Sequence, residues 1–150
     1  MPDDSTFDVV IAGGGMVGAS LAVALAALPL RVLVVEARPP TDAAQPSYDD
    51  RATAVSESSR RILDGIGCWP RLAPAAAPIR AVHVSERGAF GATRLRAADH
   101  DLDSFGYVLE NRVIGRTLWE SIEAAEGTAA WAPATVPGLE QCAGHLDVVI

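Results

Sequence analysis

The chain reads as an α/β fold, a parallel sheet and its helices in three layers, with the start of a second β-sheet attached. Three observations predict it. A short apolar run, Phe7 to Ala12, reads as a buried strand and meets three glycines, Gly13 to Gly15. An Ala/Leu/Val-rich helix follows, with Val17, Leu21, Leu25 and Leu28 in one apolar stripe. A second strand, Arg31 to Val35, closes on Glu36. Strand, glycine turn, helix and strand in that order open a Rossmann-like unit, in which a helix joins two parallel strands.

The remaining elements follow in order. Pro29 ends the first helix. Residues 37–52 are Pro/Asp/Ala-rich and aperiodic, so they read as a loop. A second helix is expected over about residues 54–65, and an Ala/Pro segment over 70–78. Ile79 to Glu86 alternates like a strand, with Ala92 to Leu95 as its antiparallel partner across Arg87 to Gly91. Residues 97–104 read as an acidic loop and Tyr107 to Glu110 as a short strand. Val113 to Glu126 is a helix with Ile114, Leu118 and Ile122 in register. Ala129 to Val136 and Leu146 to Ile150 read as strands, joined by a Pro-Gly turn and a polar stretch. This gives three parts: a Rossmann-like core over 1–78, a strand excursion toward a substrate domain over 79–106, and a return to the core over 107–150. The last strand is apolar up to Ile150 and has no polar cap, so the fold is expected to be incomplete at its C-terminus.

Composition narrows the function. The 150 residues are 49% apolar and 21% charged, which suits one folded domain with its own core. The net charge is -7, and all twelve basic residues are Arg. Net acidity without a basic run argues against nonspecific nucleic-acid binding and against a polybasic lipid patch. Cys68 and Cys142 are far apart in sequence, which excludes a disulfide framework and suits a reduced, cytoplasmic chain. His83, His100 and His145 are isolated in sequence, so no metal site can be read. The apolar stretch from Met16 to Leu30 is shorter than the roughly 20 residues of a membrane span. Its acidic flank has the wrong sign for a secretory signal.

The chemistry lies in the glycine turn. Gly13, Gly14, Gly15, Met16, Val17 and Gly18 spell G-x-G-x-x-G. With 13 glycines in the chain, chance alone yields the pattern in about one such sequence in ten, so context must decide. Here a strand precedes it, a helix follows it, and Glu36 stands 18 residues beyond Gly18. Gly13 permits the turn, Gly15 lets a pyrophosphate approach the backbone, and Gly18 lets helix and strand pack closely. The helix N-terminus offers free N–H groups to phosphate. The Glu36 carboxylate suits ribose hydroxyls and repels a 2′-phosphate. A bare glycine turn without a ligand fits the same residues less well, because the acidic partner is then unexplained. The fingerprint does not separate FAD from NAD, although its position near the chain start and the Arg-bearing loop lean to FAD.

From Tyr48 to Val55, through Asp49, Asp50 and Arg51, the chain resembles the aromatic-ring hydroxylases of ubiquinone biosynthesis, a group of FAD-dependent monooxygenases. Val82 to Gly91 is similar to a segment of the 2-octaprenyl-6-methoxyphenol hydroxylase-like members, and Tyr107 to Trp119 resembles their return into the cofactor domain. The resemblance covers nearly all of residues 7–150 and implies an N-terminal part. It implies that Arg51 reaches FAD and that Arg112 lies against the flavin. Together with the fingerprint, the cofactor-binding set is Gly13, Gly14, Gly15, Met16, Val17, Gly18, Glu36, Ala37, Arg51 and Arg112. His83 faces substrate on one reading and is a structural strand residue on the other.

The implied activity of the complete enzyme is hydroxylation of a polyprenyl phenol, with FAD as cofactor, NAD(P)H as reductant and O2 as co-substrate. The resemblance also implies a ubiquinone-biosynthesis complex and peripheral contact with the inner membrane. It names no catalytic side chain, and no metal is expected. Two other readings stay open: the Rossmann half of an NAD-linked oxidoreductase, and a truncated fragment that keeps the fold without catalysis. The 150 residues alone are expected to be inactive.

Overall fold

The computed structural model describes residues 6–38, 51–88 and 90–150. Tyr48, Asp49, Asp50 and Ala89, which carry part of the family resemblance, lie outside the described residues. In chain order the elements begin with β1 (Val9–Ala12), α1 (Met16–Leu25), β2 (Val32–Val35), β3 (Ala52–Ser56) and α2 (Glu57–Gly65). Then come α3 (Trp69–Leu72), β4 (Ala77–Pro78), β5 (Ala81–Ser85), β6 (Ala92–Arg96) and β7 (Gly106–Glu110). The chain ends with α4 (Asn111–Glu123), β8 (Thr128–Trp131), β9 (Gly138–Cys142) and β10 (His145–Val149).

These residues form two compact units. One holds residues 6–38 and 111–150, and the other holds 51–110. The expected divisions after residues 78 and 106 fall inside the second unit.

In the first unit, β2 lies between β1 and β8, and both pairings are parallel. Val9 sits beside Val32, and Val35 beside Trp131. The order is one half of a Rossmann sheet, in which the first strand is flanked by the second and the second by the third. All four residues of β2 are buried, as a central parallel strand requires when both faces are covered. α1 packs against β1, β2 and α4, and α4 packs against β8. Ile114, Leu118 and Ile122 of α4 are buried as expected, and Trp119 is buried with them.

The apolar stripe expected on α1 does not face the core. Ala19 and Ala22 are the buried residues, whereas Val17 is 86% exposed and Leu21 and Leu28 are also exposed. The reason is closeness. A side chain at Gly18 would collide with the carbonyl oxygen of Gly13 and with Ile11, so only small residues fit this face of the helix. The helix also ends at Leu25, ahead of Pro29.

The second unit holds an antiparallel sheet in the order β3-β7-β4, and the β5–β6 hairpin. The hairpin pairs Ala81 with Arg96 and Ser85 with Ala92, the partnership expected from sequence. Residues 52–56 differ from expectation: they form a strand, and α2 starts at Glu57. Ser56 is the division point, because its Oγ accepts the Ser59 N–H at 3.2 Å and caps the helix. The polar stretch near the end contains a further strand, β9, which pairs antiparallel with β10. Among the described residues no helix is long and apolar enough to cross a membrane.

Candidate functional site

The glycine turn joins β1 to α1 at the carboxyl end of the parallel strands, where open α/β sheets bind ligands. Gly13 has φ +106°, which L side chains rarely adopt, and its N–H donates to the Val35 carbonyl at 2.8 Å. The turn is thereby bonded to the end of β2. Gly14 donates its N–H to Oε2 of Glu36 at 2.6 Å, and the other carboxylate oxygen accepts the Arg38 N–H at 2.9 Å. Glu36 therefore links the end of β2 to the turn.

Gly15 is the N-cap of α1, with φ −67° and ψ −177°. Any residue can adopt that backbone, so the turn itself does not demand glycine there. No side chain caps the helix, and its first turn holds no acidic residue. An α-helix leaves its first four N–H groups without internal partners, and here Gly15, Met16, Val17 and Gly18 carry them. The Ala19 N–H makes the first bond back, to Gly15 O at 2.8 Å. Uncapped donors and a positive dipole end suit an anionic ligand.

Two features of this site escaped the sequence reading. The motif leaves Gly14 unspecified, but a Cβ there would strike the Trp119 ring and crowd the Glu36 Cβ at 3.2 Å. Trp119, from α4, also donates its Nε1–H to Gly14 O at 2.9 Å, in a buried bond spanning 105 positions. The available signal was an indole set one position beyond Leu118 in an aliphatic helix stripe.

The other expected residues take separate places. Ala37 is exposed beside Glu36. Arg112 is exposed in the first turn of α4, in the unit that holds the glycine turn. Arg51 is exposed immediately before β3, in the second unit. His83, on β5, accepts the Arg94 Nε–H at its Nδ1, 3.1 Å away. That bond gives the imidazole a structural partner on the hairpin.

The fold also gathers Cys142, His145 and Asp147 on one face of the β9–β10 hairpin. The Cys142 thiol donates to the Asp147 carboxylate at 3.3 Å, and His145 Nε2 lies 3.3 Å from the other oxygen. The hydrogen bond to Asp147, aided by burial and by the negative charge, raises the thiol pKa. The three ligand-type atoms lie within 4.8 Å of one another.

Comparison with known proteins adds the class. Residues 8–48 match the family described as FAD dependent oxidoreductase. Ubiquinone hydroxylase UbiL of Rhodospirillum rubrum is 30% identical over 138 residues, covering 92% of this chain and 32% of the relative. The 3-demethoxyubiquinol 3-hydroxylase of Escherichia coli is 35% identical over 119 residues, covering 78% of this chain and 30% of the relative. The crystal structure of p-nitrophenol 4-monooxygenase PnpA from Pseudomonas putida superposes with a TM-score of 0.76 at 20% identity. That match covers 93% of this chain and 35% of PnpA, and it shows the fold. The chain spans about a third of the length of the curated relatives it matches.

Fold, turn and the match over residues 8–48 point to one class: the chain is an α/β domain similar to the FAD-dependent oxidoreductases. It is also similar to hydroxylases of the ubiquinone pathway, as the Arg51 and Val82 to Gly91 segments led us to expect. The turn is compatible with an anionic ligand: Gly18 brings the helix onto the strand end, and the α1 N-terminus is uncapped. Glu36, though bonded to the turn, retains acceptor capacity for a ribose, since a carboxylate offers about four lone-pair sites.

Proposed function

We propose that this chain is the FAD-binding N-terminal part of a flavin-dependent hydroxylase that acts on a polyprenyl phenol in ubiquinone biosynthesis. NAD(P)H is the reductant and O2 the oxidant. The observation that carries the reading is the glycine turn fastened to Glu36 at the carboxyl end of a parallel sheet. Similarity to two ubiquinone-pathway hydroxylases supplies the reaction class.

Bound FAD supplies the redox chemistry, and the protein supplies binding and orientation. The N–H groups of Gly15, Met16, Val17 and Gly18 hold the diphosphate, with Gly13 and Gly14 shaping the approach. Glu36 takes the adenosine ribose, and Ala37 borders it. Arg51 and Arg112 are assigned to cofactor oxygens. Arg112 lies exposed in the first turn of α4, in the unit that holds the glycine turn. The phenol requires an apolar pocket, and peripheral contact with the inner membrane gives a prenylated substrate its route. An NAD-linked dehydrogenase could share the turn, but the family match over residues 8–48 favours FAD.

The test uses the full-length chain with FAD, NADH or NADPH, and a prenylated phenol in air. The reading expects phenol-dependent oxygen consumption and a product heavier by one oxygen atom. Reduced nicotinamide oxidised by a carbonyl acceptor without oxygen uptake would support the dehydrogenase instead.

A further inference from the structure

Each peptide group of the glycine turn is held by a different partner. The Gly13 N–H bonds to Val35 O at 2.8 Å, and the Gly14 N–H to the Glu36 carboxylate at 2.6 Å. The third group, between Gly14 and Gly15, is held at its oxygen by the Trp119 indole at 2.9 Å. This last bond differs in kind. It is buried, it comes from α4, and its donor is a side chain that is only 4% exposed.

A trans peptide places its C=O and N–H on opposite sides of one rigid plane, and the Gly14–Gly15 bond is trans. Holding Gly14 O toward the indole therefore fixes the Gly15 N–H on the far side, away from Trp119. That N–H belongs to the α1 N-cap and is one of the four donors assigned above to the diphosphate. An indole is suited to the task because its Nε1–H donates and cannot accept. A hydroxyl in its place could rotate and compete for the same N–H groups. The ring also fills the space beside Gly14, so the peptide cannot flip into it.

We infer that Trp119 is a positioning residue for dinucleotide binding: by gripping Gly14 O it aims the Gly15 N–H at the diphosphate. The inference rests on the FAD reading above. It makes a distinction that simple packing does not. Loss of the indole N–H should weaken ligands that carry a diphosphate and leave adenosine alone unaffected.

The test uses the full-length chain stripped of flavin, titrated with FAD, ADP and adenosine. Two replacements are compared, Trp119→Phe and Trp119→benzothienylalanine. The second keeps the bicyclic shape and puts sulfur where the N–H was, so it controls for a cavity left by Phe. We expect FAD and ADP affinity to fall by about tenfold in both, the size of one hydrogen bond to a charged group. Adenosine affinity should be unchanged. Equal loss for adenosine and ADP, or no loss with benzothienylalanine, would overturn the positioning role. If the unsubstituted chain binds neither FAD nor ADP, the FAD reading itself fails and takes this inference with it.

Discussion

Replacing Gly14 with alanine drives a methyl group against the Trp119 ring and the Glu36 Cβ. Both neighbours are fixed by their own hydrogen bonds, so neither can retreat cheaply. We expect Gly14→Ala to cost about 1–3 kcal/mol, the usual size of overpacking, and to lower FAD affinity. Gly65 provides the contrast. A Cβ there meets nothing, and no left-handed backbone is required. Gly65→Ala should therefore stabilise by about 0.4–1 kcal/mol, mainly by restricting the unfolded chain. Thermal melts of the two variants should move in opposite directions. Glu36 is the second sensitive residue. Glu36→Ala leaves the Gly14 N–H without its acceptor, at about 1–3 kcal/mol, whereas Glu36→Gln keeps one oxygen to receive it. A stability loss in the alanine variant well above that in the glutamine variant would confirm the role of the hydrogen bond.

Local signals and tertiary ones divide at the level of elements. Ser56 ends β3 and caps α2, so Ser56→Ala should cost about 1 kcal/mol. Glu57, one residue on, pairs with Arg60 at 2.9 Å and with Arg61 at 3.2 Å. Burial pushes its carboxyl up, but the two guanidinium groups outweigh that, and the net shift is downward. A carboxyl whose folded pKa is lowered contributes stability above its unfolded pKa and loses it as pH falls through the folded value. The pairs are partly exposed, so the effect is shallow. Circular dichroism across the acid range should show a gentle decline that Glu57→Gln removes. The strand-turn-helix-strand opening was legible because β-branched runs and glycines are local signals. β3 was not, because Ala52 to Ser56 becomes a strand only by pairing with β7. β9 was hidden in the same way, as its polar Gly138–Cys142 run is paired by β10. The outward turn of Val17 and Leu21 was illegible too. It follows from the contact of Gly18 with Gly13 and Ile11, which no helical periodicity encodes.

At the scale of the whole molecule, the site joins three separate stretches of sequence. The turn lies at residues 13–18, its acidic partner at 36 and its indole at 119. The sequence motif names the first two, because their spacing is short and fixed by one strand-helix-strand unit. Trp119 enters only through the packing of α4 on α1 and through β8 joining the same sheet. On the proposed FAD reading, cofactor binding depends on residues far apart in the sequence. The direct measurement is a titration of FAD into the flavin-free full-length chain, followed by flavin absorbance and tryptophan fluorescence. The account predicts saturable uptake of one FAD per chain, strongly weakened in Gly14→Ala. A folded chain that takes up no FAD, or a Gly14→Ala variant that binds it undiminished, would contradict it.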